Sequence, residues 1–271
     1  MGRYLKSRIK HGLHKLLGYE EKYITQRTSF EAVYGLLQSL RPLTPPAPLI
    51  RLGPRLDGGY LVPNQLDGVA ALFSPGVSTE AGFEMDCASR GIDVFMADWS
   101  VEESPASHPR FSFLKKYLGN STYGTFISLD EWVNSTGVPP SADLMLQMDI
   151  EGAEYEVFHS CSDALLRRLR IIVVEFHSLE LLWCEPFFQS ASRVFAKLLQ
   201  THYVVHAHPN NCCGVDTQQN LFIPRLMEFT FVRGTPTAAQ IPVREFPHPL
   251  DCDNLPGPPL SLPRNWPERS N

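Results

Sequence analysis

The chain has 271 residues, of which 43% are hydrophobic and 20% charged, a balance that excludes a largely disordered protein. Its formal net charge is −5, and because residues 1–19 hold five Lys/Arg and no acid, the remaining chain is more acidic still. That charge excludes nucleic acid as the main ligand, since phosphate backbones are bound by basic surfaces. No apolar run approaches the ~20 residues that span a bilayer, and we find no signal-peptide pattern, so we expect a cytoplasmic protein. The six cysteines include no CxxC pair, which favours reduced thiols.

Residues 1–48 are predicted to form an N-terminal helical extension and a proline-rich linker. Residues 1–19 place apolar side chains on one helical stripe with basic residues around it. Such a helix could lie on an anionic membrane surface, pack on the domain, or pack on a second subunit of a homo-oligomer. A second helix is predicted near residues 29–40, and the linker 42–48 ends it because proline cannot continue a helix.

Residues 49–233 alternate short β-branched runs with helical patterns, which predicts an α/β domain with a mostly parallel sheet and helices on both faces. The seven predicted strands are 69–73, 93–97, 111–114, 144–148, 171–176, 203–207 and 228–232. The predicted helices between them are 80–90, 130–135, 153–160 and 187–200. No helical pattern joins the last two strands, so we expect an antiparallel hairpin at one edge. Residues 234–271 are rich in proline and predict an irregular tail.

Ligands of open α/β sheets bind at the carboxyl ends of the strands, near the point where strand order reverses. After the first predicted strand, Gly76 would let a ligand approach the backbone, and Ser78 or Thr79 would cap the next helix. The second strand ends at Asp98 and Trp99. An acid there can hold ribose hydroxyls and an indole can cover an adenine, although Asp98 alone is also typical of a helix cap.

Carboxylates and imidazoles follow the later strands. Three acids lie close together around Gly152, and because like charges repel, this favours a positioned role for Asp149, Glu151 and Glu154. Further polar residues at the ends of the fifth and sixth strands are Glu175, His177, His206, His208 and Asn210. Alternate residues of a strand share a face, so this group could converge on one cleft as a general base or as ligands of a divalent metal ion. The two histidines of the sixth strand could instead only hydrogen-bond across the hairpin.

Several strings resemble the FkbM-type S-adenosylmethionine-dependent methyltransferases, over roughly residues 49–233. The specific part is LQMDIEGAEYEVF at 146–158, which is followed by IIVVEFH at 171–177. The similarity extends to DGGYLVP at 57–63, FSPGVSTEAGFE at 73–84, VVHAHPNNCCG at 204–214 and MEFTFVR at 227–233. The chain departs from the usual G-x-G of such enzymes, because Pro75 and Val77 flank a single glycine.

The resemblance implies a class I, Rossmann-like methyltransferase fold with seven strands and S-adenosylmethionine as the cofactor. On these positions, Gly76, Val77 and Ser78 should face the methionine part of the cofactor. Asp98 should hold the ribose, with Trp99 beside it, and Asp149 should lie beside the sulfonium.

By the same resemblance we expect O-methylation of a hydroxyl on a sugar or other small polyhydroxyl compound, so that the partner is a small-molecule or glycan acceptor. The expected catalytic residues are Asp149, Glu175 and His177. The expected acceptor-binding residues are Glu151, His206, His208 and Asn210. A divalent metal ion stays open. One alternative is a metal-dependent hydrolase or lyase with Asp149, Glu175, His177 and His208 as ligands, and another is a catalytically inactive binding module of the same fold.

Overall fold

The structure is a computed structural model that describes residues 25–267. The helix predicted for residues 1–19, with its membrane or subunit contact, lies outside the described residues. Helix α1 spans Phe30–Ser39, where the sequence predicts a helix, and the Ser29 Oγ caps it by accepting the Ala32 N–H at 3.2 Å. None of the helices within residues 25–267 is long and apolar enough to cross a membrane.

Seven strands form the central sheet, and each coincides with a predicted strand. They are β1 (Val69–Pro75), β2 (Asp93–Ala97), β3 (Phe111–Leu114), β4 (Asp143–Met148), β5 (Leu169–Phe176), β6 (His202–Pro209) and β7 (Met227–Arg233). Their order across the sheet is β6-β7-β5-β4-β1-β2-β3. All neighbouring pairs are parallel except those of β7, which is antiparallel to both β5 and β6. The predicted mostly parallel α/β sheet is confirmed.

The predicted edge hairpin of β6 and β7 forms, with β6 as the edge strand and β7 inside the sheet between β5 and β6. Short strands outside the central sheet were missed because each has only three or four residues. They pair as Leu49–Leu52 with Tyr60–Pro63, Tyr117–Gly119 with Phe126–Ser128, and Val215–Gln218 with Leu221–Pro224.

Helices cover both faces of the sheet, as predicted. They are α2 (Gly82–Ser89), α3 (Leu129–Ser135), α4 (Glu154–Ser160), α5 (Asp163–Leu166) and α6 (Glu185–Leu199), with a 3₁₀ helix at Leu179–Trp183. Successive residues of β1 point to opposite faces, so Phe73 belongs to the core that includes residues of α3, α4 and α6, while Leu72 belongs to the core that includes residues of α2. Trp132 meets Phe73 edge-on, with ring centroids 5.1 Å apart.

The segments that flank the central domain pack on it. Residues 234–267 of the tail form no helix and no strand of a sheet, yet Trp266 is buried and its Nε1 donates to the Phe222 carbonyl at 2.9 Å. The proline-rich linker lies along β6, where the Leu43 N–H donates to the Val204 carbonyl at 2.9 Å.

Two of the six cysteines differ from the prediction of reduced thiols. Cys212 and Cys213, which are adjacent in the chain, form a disulfide, and the other four are free.

Candidate active site

A cavity of about 620 Å³ opens at the carboxyl ends of β1, β2 and β4. Its walls come from the turns after these strands, from residues 57–60, and from the short pair that contains Tyr117 and Phe126. Strand β1 has β2 on one side and β4 on the other, so the cavity lies where the chain reverses its direction of travel across the sheet. Ligands of open α/β sheets bind at this point.

The cavity is lined by acidic charge. Six of its lining residues are Asp57, Glu80, Glu84, Asp98, Asp149 and Glu151, and no lysine, arginine or histidine is among the described residues that line it. A cleft lined by charge of one sign concentrates its field on the ligand inside. The cavity therefore favours a ligand that carries positive charge.

Gly76 is required by a contact between two turns. Its φ is +86°, and a Cβ there would lie 1.8 Å from the carbonyl oxygen of Asp149. The close neighbour of this glycine is therefore the backbone after β4, and Gly76 also lines the cavity. The expected cap is corrected, since α2 begins at Gly82 and Ala81 precedes it without a side-chain cap. Ser78 and Val77 still line the cavity.

Asp98 joins the turn after β1 to the turn after β2. Its Oδ2 accepts the Ser78 N–H at 2.9 Å, and its Oδ1 accepts the N–H and the Oγ–H of Ser100, both at 2.7 Å. The carboxylate is buried at the cavity wall, and its remaining lone pairs can accept bonds from a ligand. Trp99 does not line the cavity: it is 40% exposed, with the Lys115 Nζ 5.2 Å from its ring centroid.

Asp149 and Glu151 line the cavity, and His177 lies beside them. The His177 Nε2 is 3.8 Å from Asp149 Oδ1 and 3.4 Å from Glu151 Oε2. Burial raises the pKa of Asp149 to about 7, against the opposing effect of His177 and with support from Glu151 and Glu154. Burial alone would lower the pKa of His177, but Glu154 and the two cavity acids raise it above its ordinary value. These residues are brought together as expected.

Glu154 builds the turn that holds this group. It is fully buried, and its Oε1 accepts the N–H groups of Ile150 at 3.2 Å and Gly152 at 3.0 Å. The same oxygen lies 3.1 Å from His177 Nδ1. The turn needs left-handed backbone at Glu151, where φ is +58°, and at Gly152, where φ is +103°. The third acid of the DIEGAE string thus acts on the other side chains through the backbone and the imidazole.

Glu175 and Asn210 lie behind the cavity. Glu175 is 1% exposed and its Oε1 accepts a bond from Asn210 Nδ2 at 2.7 Å. Burial raises its pKa well above the ordinary range, and the charges of Asp149 and Glu228 raise it further. Neither Glu175 nor Asn210 lines the cavity, so the expected convergence of both on one cleft is not found.

His206 and His208 share a face of β6, as expected, but their partner is in the C-terminal tail. The His206 Nε2 is 2.8 Å from Asp251 Oδ1, and the His208 Nδ1 is 3.5 Å from Asp251 Oδ2. Both rings are buried and outside the cavity. The hypothesis that they bind the acceptor beside Asp149 is therefore corrected. Asp251 lies in a segment without periodicity, so no local pattern pointed to this pair.

Sequence reasoning also missed a buried network under the cavity. Ser74 Oγ hydrogen-bonds with Glu84 Oε1 and, at 2.6 Å, with Gln147 Oε1, while Gln147 Nε2 donates to Tyr60 Oη at 3.3 Å. A hydroxyl has one hydrogen, so both bonds of Ser74 form when Glu84 is protonated. Burial, which raises the pKa of Glu84 to about 7, favours that state. A single serine in an apolar strand gives no signal of such a network.

Comparisons with known proteins bear on the same residues. Residues 125–205 match the family model of the methyltransferase FkbM domain, which confirms the resemblance found in the sequence. This range contains β4, β5 and the Asp149–Glu151–His177 group. A structure from Anabaena variabilis, described as a methyltransferase from an antibiotic biosynthesis pathway, is similar at 15% identity and a TM-score of 0.27. The match covers 52% of this chain and 58% of that one, and no curated protein matches the chain.

Proposed function

We propose that this chain, which matches the FkbM methyltransferase model over residues 125–205, transfers the methyl group of S-adenosylmethionine to a hydroxyl of a sugar or other small polyhydroxyl compound. The observation that carries the proposal is the acid-lined cavity at the point where strand order reverses, with Asp98 at the end of β2. The strand order β6-β7-β5-β4-β1-β2-β3 supports the class I, Rossmann-like arrangement that the resemblance implies.

The residues present fit S-adenosylmethionine in charge and size. The cofactor carries a sulfonium and an ammonium group, which suit the acidic lining, whereas a phosphate-bearing nucleotide would be repelled by it. The volume of about 620 Å³ is in the range of cofactor sites, which is roughly 300–1,000 Å³. Asp98 would accept bonds from the ribose hydroxyls, and Gly76, Val77 and Ser78 would face the methionine part.

When bound, S-adenosylmethionine supplies a methyl group whose bond to sulfur breaks as its bond to the acceptor oxygen forms. The chain must align the acceptor and accept its hydroxyl proton. Asp149, Glu151 and His177 are the described group at the cavity wall that suits this task, since they combine two carboxylates with an imidazole. The other four expected site residues have partners outside the cavity: Asn210 donates to Glu175, and His206 and His208 both lie against Asp251.

The hydrolase or lyase alternative loses its ligand set. Glu175 is bound to Asn210, and His208 faces Asp251, so neither can join Asp149 and His177 around one ion without leaving its partner. The methyltransferase proposal needs no such rearrangement.

Calorimetry with the full chain tests the proposal. We expect S-adenosylhomocysteine to bind with one site per chain, and ATP and NAD⁺, which carry phosphates, not to bind. A labelled methyl group from S-adenosylmethionine should then appear on an oxygen in a panel of sugars and glycan fragments. The proposal would be overturned if the folded chain did not bind S-adenosylhomocysteine, or if it bound ATP more tightly than S-adenosylhomocysteine.

A further inference from the structure

The imidazole of His177 is held in one orientation by Glu154. The His177 Nδ1 is 3.1 Å from Glu154 Oε1, and that oxygen already accepts two backbone N–H groups, from Ile150 and Gly152. Nδ1 is thus the ring nitrogen that faces Glu154. Nε2 is then the ring nitrogen that faces the cavity acids, and it offers a lone pair to a metal ion when its proton is displaced.

That lone pair faces two carboxylates. Nε2 lies 3.8 Å from Asp149 Oδ1 and 3.4 Å from Glu151 Oε2, and Asp149 Oδ1 is buried without a hydrogen-bond partner. Two carboxylates and an imidazole nitrogen thus meet at the cavity wall, and either a proton on Nε2 or a metal ion can lie between them. A cation between them removes the repulsion and satisfies the unpaired oxygen of Asp149.

We infer that Asp149, Glu151 and His177 bind a divalent metal ion of the Mn²⁺ type at the cavity wall, with Glu154 orienting the imidazole behind it. The three ligand atoms lie within 4.8 Å of one another. Ligand atoms that share one ion with bonds of ~2.1 Å are separated by about 3–3.5 Å. A small movement of the exposed Glu151 side chain therefore closes the site. Two carboxylates with one imidazole suit Mn²⁺ and its neighbours better than Ca²⁺. The carboxylate–histidine pair at Nδ1 is the usual outer support of a metal-bound imidazole.

The inference rests on the proposed function for its catalytic meaning. Because Asp149 and Glu151 line the cavity, the open positions of the ion would face it, and an acceptor hydroxyl bound there would lose its proton more easily. Metal binding itself depends only on the three ligands, so it can be measured without cofactor or acceptor.

The test is a Mn²⁺ titration of the full chain, followed by calorimetry and by electron paramagnetic resonance. We expect one Mn²⁺ per chain. Glu151→Gln should weaken binding at least about tenfold, and His177→Gln should in addition abolish the spin-echo modulation from the imidazole nitrogen. Glu156→Gln is the matched control, because Glu156 is an exposed acid at the start of the neighbouring α4 and should bind the ion no differently from the wild type.

The outcomes separate this inference from the proposed function. A chain that binds S-adenosylhomocysteine but no Mn²⁺ overturns the metal site and leaves the methyltransferase proposal intact. Equal weakening by Glu151→Gln and Glu156→Gln also overturns it, since the ion would then be held by diffuse acidic charge. If the chain binds Mn²⁺ but not S-adenosylhomocysteine, the result supports the metal site and contradicts the proposed function.

Discussion

Gly76 lies so close to Asp149 that an added Cβ would be 1.8 Å from the Asp149 carbonyl oxygen. The turn after β1 and the turn after β4 are thus packed backbone to backbone, and the contact sets the distance between the residues proposed to face the cofactor and those proposed to face the acceptor. Any side chain at this position must separate the two turns.

We therefore expect Gly76→Ala to lower the free energy of unfolding by more than about 3 kcal/mol and to weaken S-adenosylhomocysteine binding. Gly91→Ala is a matched control, because Gly91 has the same φ of +86° but nothing within 4 Å of its added Cβ. It should cost only the backbone strain of about 1–2 kcal/mol. Urea unfolding measures both variants, and equal losses would show that the contact with Asp149 is not limiting.

Asp98→Asn should weaken the binding of S-adenosylhomocysteine by at least about tenfold, because charge-assisted bonds to the ribose hydroxyls are lost. The amide can still accept one of the bonds from Ser78 and Ser100, so the fold should persist. Asp93→Asn, at the opposite and exposed end of β2, should bind like the wild type. Calorimetry distinguishes the two, and an unchanged affinity in Asp98→Asn would exclude Asp98 from the cofactor site.

Glu84 predicts a pH dependence of stability. Its pKa is raised from 4.5 to about 7 in the folded chain, so the folded chain holds this proton more tightly than the unfolded chain. The free energy of unfolding therefore falls as the pH rises from about 4.5 to about 7, by roughly 3 kcal/mol from this group. The substitution Glu84→Gln removes this pH-dependent contribution to the free energy of unfolding.

Between pH 4.5 and 8, the stability of Glu84→Gln relative to the wild type should consequently improve by about 2–3 kcal/mol. All other groups titrate in both proteins, so urea unfolding at several pH values isolates the contribution. A difference that stays constant with pH would mean that Glu84 is ionised in the folded chain throughout.

The contact of Asp251 with His208 gives a second pH dependence of the same sign, at higher pH, to test. Burial would raise the pKa of Asp251, but bonds from His206 and His208 hold it below its ordinary range; burial would lower the pKa of His208, but Asp251 raises it. The ionic contribution is thus complete below the unfolded pKa of histidine, ~6.5, and is lost as the pH rises through the higher folded value.

Asp251→Asn should therefore destabilise the chain more at pH 6 than at pH 9, by about 1–2 kcal/mol. Thermal or urea unfolding at the two pH values measures this, and the difference should shrink when His208→Gln is already present. The same loss at both pH values would show that the pair is held by neutral hydrogen bonds.

The strands were predictable because their signal is local. Strand β5 contains the run Ile171–Phe176, which is apolar except for Glu175 and is buried on both faces, and such runs are typical of central parallel strands. The position of β7 between β5 and β6 was not predictable, since pairing depends on contacts far apart in the sequence. The turn from Asp149 to Glu154 was found by its unusual density of charge, which needs no knowledge of the fold.

The positions of the other expected site residues depend on partners that are distant in the sequence, and no local sequence pattern indicates those partners. His206 and His208 were assigned to the cleft because they share a strand face, but the buried Asp251 from the proline-rich tail lies on that face. Trp99 was assigned to an adenine from its neighbour Asp98, yet successive side chains diverge, and its ring lies near Lys115 in solvent. Glu84 was missed because only burial makes its carboxyl differ from other helical acids.

The linker and tail, which pack along β6, also determine whether this edge of the sheet can pair with a strand of another molecule. An uncovered edge strand presents unpaired N–H and C=O groups that can add a strand from another chain. Here the Leu43 N–H of the linker donates to the Val204 carbonyl of β6. The linker is in turn held by the tail, since the Val243 N–H donates to the Pro42 carbonyl at 2.8 Å. A chain cut after residue 233 would lose that support and expose the backbone of β6. We therefore expect the truncated chain to self-associate by adding strands at this edge.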